Sequence, residues 1–176
     1  MEVHTPAKIE LSFGYTFRKY DGPLGNIGMN GGYVSGTYNK FRWLGVTGQA
    51  LVVARSVGSQ SAGTLQNYTV ATVMGGPQFY PVLHHKLTPF GHVLVGAGGL
   101  HFYAPSYAGF GGPDVRSTGL SYEAGVGVDM RIKPRWSVRL IEVDYGQTKF
   151  YSGGSGQGST RFSAGAVYLI GHKTSK

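Results

Sequence analysis

The sequence contains no cysteine in its 176 residues, and charged residues make up only 14% of it. The first absence excludes disulfide crosslinks and thiol catalysis. The second is unusual, because an ordinary soluble domain carries about 25% charged residues. A surface with so little charge is poorly suited to contact with water on every side.

Long apolar runs are also missing. No stretch of eighteen apolar residues occurs, which excludes a membrane-spanning helix. No segment of useful length shows the 3.6-residue stripe of an amphipathic helix. The start Met1–His4 lacks the basic and apolar parts of a signal peptide, so we expect a mature chain with an added Met if the protein is exported.

Acidic residues are scarce, with 8 Asp and Glu against 16 Lys and Arg, for a net charge of +8. A basic balance of this size can indicate a nucleic-acid partner. Here, however, the cations stand singly along the chain, without a basic run or a nucleic-acid-binding motif. We therefore expect no nucleic-acid partner.

What the chain does have is a period of two. Phe13, Tyr15 and Phe17 alternate with small or polar residues, and the same alternation recurs down the chain. This period indicates strands with one apolar and one polar face. We count eight such segments: Lys8–Tyr20, Gly32–Lys40, Leu44–Arg55, Tyr68–Tyr80, Phe90–Phe102, Thr118–Ile132, Trp136–Phe150 and Thr160–Gly171.

The connections alternate in length. Three are short, at Phe41–Trp43, Val82–Thr88 and Lys133–Arg135, and four longer ones are rich in Gly and Ser, at 21–31, 56–67, 103–117 and 151–159. Transmembrane barrels combine short periplasmic turns with long extracellular loops. We therefore predict an all-β protein, an eight-stranded antiparallel up-and-down transmembrane β-barrel, with both termini on the short-turn side. It forms one domain, 1–176, with the barrel at about 8–171 and a polar tail at 172–176.

Alternation alone does not decide which face meets solvent, since a soluble lipocalin-like barrel places its apolar face inside. Low total charge and aromatic residues near the strand ends favour the membrane barrel. The predicted aromatic girdle comprises Phe41, Trp43 and Trp136 on one side and Tyr20, Tyr103, Phe150 and Tyr151 on the other. Exposed cations of the short-turn side, among them Lys40 and Arg42, are suited to anionic lipid headgroups.

The polar face then lines the lumen and holds most of the acids. The seventh segment changes phase, which predicts a β-bulge near Ile141–Glu142. The predicted lumen charge network is Glu10, Arg18, Glu123, Asp129, Arg131, Arg139, Glu142, Asp144 and Arg161. Because buried ions must pair, and because eight strands enclose little space, we expect a structural plug. A narrow ion or small-solute channel is the alternative.

The chain resembles the small outer-membrane β-barrels typified by the transmembrane domain of outer-membrane protein A. The segments that carry the resemblance are Lys8–Tyr15, Leu87–His92 and Val138–Tyr145. The resemblance implies lipid and lipopolysaccharide as surroundings and the barrel-assembly machinery as a partner. Such barrels usually end on an aromatic residue, whereas this chain continues through Gly171–Lys176, so the tail is an addition or Tyr168 carries the signal.

Histidines provide the remaining candidate chemistry. His84 and His85 are adjacent in a predicted turn, where a shared metal would need further ligands, so we expect no metal site and no cofactor. His101 lies on the lipid-facing phase, where lipid-modifying barrels hold a catalytic His, but no Ser follows two positions on. We therefore predict no catalytic residue and no enzyme. A structural or adhesive envelope protein with four extracellular loops is the expected function, and a lipid-modifying enzyme is the second alternative.

Overall fold

Eight β-strands account for nearly all of the structure. The computed structural model describes residues 7–21, 27–58, 65–81, 86–103, 114–149 and 157–171. At 57–58, 65–66, 102–103, 114–115 and 157 it describes the backbone alone. None of the described segments is a helix able to cross a membrane. The strands are β1 Ile9–Asp21, β2 Ile27–Asn39, β3 Leu44–Gly58, β4 Leu65–Phe79, β5 Leu87–Tyr103, β6 Asp114–Lys133, β7 Trp136–Lys149 and β8 Gln157–Ile170.

The strands form one closed sheet. Each strand pairs antiparallel with its sequence neighbours, and β8 pairs with β1 in a ladder that runs from Ile9↔Ile170 to Asp21↔Gly158. Closure leaves no strand with an unpaired edge. The predicted eight-stranded antiparallel up-and-down barrel is confirmed.

The strands are longer than predicted at the long-loop end. β2 begins at Ile27 rather than Gly32, β3 reaches Gly58, and β6 begins at Asp114 rather than Thr118. The expected pattern of apolar-outward and polar-inward residues is lost there, because inward positions such as Ile27 and Met29 are apolar whereas outward Asn30 is polar, although backbone pairing continues. The predicted loops were therefore too long, and their remaining parts, within 22–26, 59–64, 104–113 and 150–156, lie outside the described residues, as does the tail 172–176.

The apolar face of the alternation points outward and the polar face inward, with Tyr20 on β1 as an exception described below. Outward positions such as Phe13, Tyr15, Val93 and Val126 are exposed, and the inward charged and hydroxyl side chains are mostly buried. β7 carries the predicted bulge, since its register with β6 shifts between Val128 and Asp129 and its register with β8 shifts between Arg139 and Glu142. Consequently Leu140 and Ile141 both face outward, and Arg139 and Glu142 both face inward.

Glycine at the β1–β8 closure permits a close approach of the two backbones. Gly14 and Gly165 lie opposite each other, and a Cβ atom on Gly14 would lie 2.6 Å from the Cα of Gly165. Any larger residue would push the two strands apart. The closing ladder thus depends on glycine at this position.

Candidate functional site

Arg161 on β8 lies at the centre of a buried ionic network in the lumen. Its Nε lies 3.0 Å from Asp144 Oδ2, and its Nη2 lies 2.7 Å from Glu142 Oε1, both on the neighbouring strand β7. Its Nη1 donates to Gln49 Oε1 on β3 at 2.8 Å. Since β3 and β8 are not neighbours in the sheet, this hydrogen bond crosses the barrel interior.

Arg139 on β7 forms the second centre. Its Nε and Nη2 donate to the two oxygens of Asp129 at 2.9 and 3.1 Å, and its Nη1 lies 2.5 Å from Glu142 Oε2. The guanidinium also packs over the buried ring of Phe90, 4.2 Å from the ring centre. Glu142 is therefore shared by two arginines, one on each of its oxygens, which joins the two centres.

Arg18 on β1 also makes a contact across the lumen, through an ion pair with Glu123 on β6. Both side chains are buried, at 1% and 3% exposed. Glu123 Oε2 lies 3.8 Å from Arg161 Nη2, which connects this pair to the rest. Side chains from β1, β3, β6, β7 and β8 thus meet in one network.

A separate polar cluster surrounds Glu10 near the short-turn end. Glu10 accepts hydrogen bonds from Tyr80 at 2.9 Å and from Asn39 at 3.1 Å, and Gln78 donates to the Tyr80 oxygen at 2.8 Å. Burial raises the pKa of the Tyr80 hydroxyl well above its ordinary value of 10.0, and the Glu10 carboxylate raises it further. Tyr80 therefore remains a hydrogen-bond donor to Glu10 at neutral pH.

The structure buries eight of the nine predicted network residues, and Arg131 is the half-buried exception, on β6 close to the short-turn end. Seven of the eight belong to the main network and Glu10 to the separate cluster. The network prediction did not include Gln49, Asn39, Tyr80 and Phe90. Gln49 lies on the inward phase of β3 and was detectable from it, whereas Tyr80 follows Pro77, where the alternation is weak.

Charge in the main network is not balanced by arginine alone. It contains four carboxylates, on Glu123, Asp129, Glu142 and Asp144, against the three guanidinium groups of Arg18, Arg139 and Arg161. His92 on β5 places its Nε2 2.7 Å from Asp144 Oδ1. The imidazole thus lies against Asp144, one of the four carboxylates.

His92, Glu142 and Asp144 are also the described residues best placed to hold a metal ion, because one ligand atom from each lies within 4.8 Å of the others. Both carboxylates are already in contact with Arg161, however, at 2.7 and 2.8 Å. A guanidinium in that position supplies the positive charge that a metal would supply. The absence of a metal site remains a prediction.

Part of the lumen is apolar, which the sequence analysis did not anticipate. Toward the long-loop end, β1 to β4 contribute a buried cluster made of Tyr20, Met29, Tyr33, Leu51, Val53 and Val70. The placement of Tyr20 in the outer aromatic girdle is therefore wrong. Tyr20 shares the inward phase of Glu10 and Arg18 on β1, and it is only 6% exposed.

On the short-turn side the residues of the predicted girdle face outward, and the girdle itself stays a prediction. Phe41, Trp43 and Trp136 are exposed, and Phe79 and Tyr168 extend the group. Trp43 stacks with Phe41 at 6.3 Å and with Phe79 at 6.5 Å between ring centres. On the other side, the Tyr103 side chain, Phe150 and Tyr151 lie outside the described residues.

Solved structures share this architecture. No protein-family profile and no curated protein matches the sequence. Neisserial surface protein A aligns with a TM-score of 0.76 and 12% identity over 93% of this chain and 98% of its own. Ail, the attachment invasion locus protein of Yersinia pestis, aligns with a TM-score of 0.67 and 19% identity over 93% and 99%. The N-terminal β-barrel domain of Pseudomonas aeruginosa OprF aligns at 0.53 and 9% over 90% and 96%.

The chain has the fold of small outer-membrane β-barrels. Identities below 20% show the fold and leave the activity open. Ail has also been determined as an outer-membrane protein in a phospholipid bilayer nanodisc, with a TM-score of 0.51 to this chain. The predicted resemblance to this class of barrels is thus confirmed at the level of the fold.

Replacing Arg161 by Ala tests the energetic role of the lumen network. The change leaves Glu142 and Asp144 without their shared guanidinium, and breaking a buried ion pair from one side costs about 3–5 kcal/mol. We expect a loss of that size in the free energy of unfolding, measured by urea titration in lipid vesicles. The exposed Arg42→Ala variant is the control, with an expected change within about 0.5 kcal/mol. Equal effects of the two variants would contradict a structural role for the network.

Proposed function

We propose that the protein is a non-enzymatic integral β-barrel of a Gram-negative-type outer membrane, with a structural and adhesive role in the cell envelope. One observation carries the proposal. The outside of the barrel is apolar over its middle and the inside holds the ions, which is the reverse of a soluble barrel.

The apolar belt approaches the height of about 25 Å that is typical of transmembrane barrels. Val46, Val73, Val95 and Val126 are more than half exposed on four different strands. On β1 the belt runs from Ile9 to Phe17, and eight steps of about 3.3 Å tilted by about 40° give roughly 20 Å. Water would disfavour so much continuous apolar surface, whereas lipid chains accommodate it.

The two ends of the barrel differ, and this supports an orientation. The short-turn end presents exposed cations without an exposed acid among the described residues: Lys8, Lys40, Arg42, Lys86, Lys133 and Arg135. Short turns face the periplasm in outer-membrane barrels. In that orientation both termini are periplasmic, the cations contact anionic phospholipid headgroups, and the four loops face outward.

An attachment role is consistent with the fold and with the loop-bearing end. The protein Ail, which shares the fold, is named for attachment and was crystallised with a heparin analogue. In this chain the segments between the long-loop strand ends are rich in Gly, Ser and Tyr, a composition that suits adaptable contacts. We propose that these loops contact an extracellular ligand.

The lumen supports a structural role better than transport. Arg161 with Gln49 and Arg18 with Glu123 make contacts across the interior, and the apolar cluster around Tyr33 and Leu51 occupies the part nearer the loops. An eight-stranded barrel has an interior just wide enough for side chains. The sequence also lacks a Ser two positions after His101, since Phe102 and Tyr103 follow it.

The membrane assignment predicts heat-modifiable migration. Protein from the outer-membrane fraction is run in detergent gels with and without boiling, and the unboiled barrel is expected to migrate differently because it stays folded. A chain that leaves the membrane fraction without detergent, and migrates identically in both lanes, would be a soluble barrel instead.

The filled lumen predicts an electrically quiet protein. In planar lipid bilayers the wild type is expected to show no stable openings in the nanosiemens range. Recordings with stable openings that change on Glu123→Gln substitution would instead support the narrow-channel function.

The attachment role predicts a phenotype that depends on the loops alone. Residues 59–64 and 104–113 are each replaced by Asn-Gly, a dipeptide that favours tight hairpins. Non-adherent bacteria displaying the wild type should attach to epithelial monolayers, and bacteria displaying the shortened variant should not. The gel shift serves as the folding control for the variant. Equal attachment by both strains would remove the adhesive part of the proposal.

A further inference from the structure

The barrel wall opens on its outer surface near the long-loop rim. The β2–β3 ladder ends at Asn30↔Ala54, whereas β2 stays paired with β1 as far as Ile27↔Tyr20 and β3 stays paired with β4 as far as Gly58↔Leu65. Beyond Asn30 and Ala54 the two strands therefore separate. The gap forms a cleft of about 670 Å³ lined by Phe17, Lys19, Gly28, Asn30, Ala54, Arg55 and Ser56.

Hydrogen-bond donors dominate the lining of this cleft. Lys19 and Arg55 contribute two cations from opposite sides, and Arg55 Nη1 donates to the Gly28 carbonyl at 3.1 Å across the gap. Asn30 Oδ1 accepts from Tyr15 at 2.6 Å, which leaves the amide N–H groups as the donors of that side chain. The nearby acid is Asp21, 3.5 Å from Lys19 in an exposed pair. Two cations with amide donors suit a phosphate group.

The lower edge of the cleft is apolar and continues into the membrane belt. The ring of Phe17 lies over Gly28, so close that a Cβ there would be 2.8 Å from the ring. Below, the outer faces of β2 and β3 alternate exposed Val34 and Val52 with smaller residues, and Gly36 lies opposite Gly48. A Cβ on Gly48 would meet no atom within 4 Å, so packing within the protein does not require glycine at this position. An apolar strip that is low at these glycines offers a surface for an acyl chain.

We propose that this cleft is a binding site for the phosphorylated saccharide headgroup of lipid A, with an acyl chain lying along the strip beneath it. The inference rests on the proposed function, because only the outward orientation places the cleft in the leaflet that contains lipid A. The cations bind phosphate, Asn30 donates to saccharide or phosphate oxygens, and Phe17 separates headgroup from chain. The site takes one lipid on one side of the barrel, between β1 and β3.

The test measures lipid retention by native mass spectrometry of the detergent-purified full chain. Diphosphorylated lipid A and phosphatidylglycerol are added separately to the wild type, to Lys19→Ala/Arg55→Ala, and to Arg116→Ala/Lys149→Ala. The last variant is the matched control, because it removes two exposed cations from the same rim on β6 and β7. We expect the cleft variant to retain roughly tenfold less lipid A than the wild type and the control variant to retain about as much. The wild type, the cleft variant and the control variant should retain equal amounts of phosphatidylglycerol.

Three results would overturn the inference. They are equal lipid A retention by the wild type and the cleft variant, equal losses in both variants, and a loss of phosphatidylglycerol that matches the loss of lipid A. The gel shift separates these failures from a failure of the proposed function. A barrel that folds in the outer membrane but shows one of these results lacks the site, whereas a chain absent from the outer membrane refutes both.

Discussion

Closure of the sheet between β1 and β8 is the constraint on which the rest of the structure depends. A membrane interior provides no water for unpaired backbone groups, so a sheet can cross it only when every strand has two partners. The ladder from Ile9↔Ile170 to Asp21↔Gly158 supplies the last of these pairings. Because the ring is small, it also fixes a narrow interior, and the side chains that point inward must fill it and satisfy one another.

Two kinds of side chain occupy that interior, paired ions and apolar groups. Most of the ions lie on β6, β7 and β8, where an ion such as Glu142 is tolerated because both of its oxygens have guanidinium partners. On β1 to β4 nearer the loops, Tyr33, Leu51 and Val53 pack as an apolar core. The division has a physical reason. A buried ion is costly unless partners of opposite charge or hydrogen bonds compensate it, so the remaining volume is best filled by groups without charge.

Sequence periodicity predicted the number of strands, the faces of most positions and the β7 bulge, since one face of each strand is apolar over most of its length. It was less successful near the long-loop rim, where this pattern is lost. At the start of β2, for example, Ile27 packs against the apolar cluster of the lumen while outward Asn30 is polar. Tyr20 was misplaced because an aromatic residue near a strand end suits the girdle or the lumen equally, and only its phase separates the two. The partners of each ion, such as Gln49 for Arg161, depend on distances across the barrel that no local pattern contains.

The distribution of charge links the interior to the surroundings of the barrel. Five of the eight acids lie in the lumen, with only three arginines fully buried beside them, so most of the remaining cations are on the outside. An acid on the exterior belt would gain nothing from lipid and would repel anionic headgroups at either rim, whereas an acid in the lumen neutralises an arginine. The excess of basic residues in the composition is therefore a consequence of the fold. The exposed cations lie at both rims of the barrel, where the proposed membrane would present its phosphate groups.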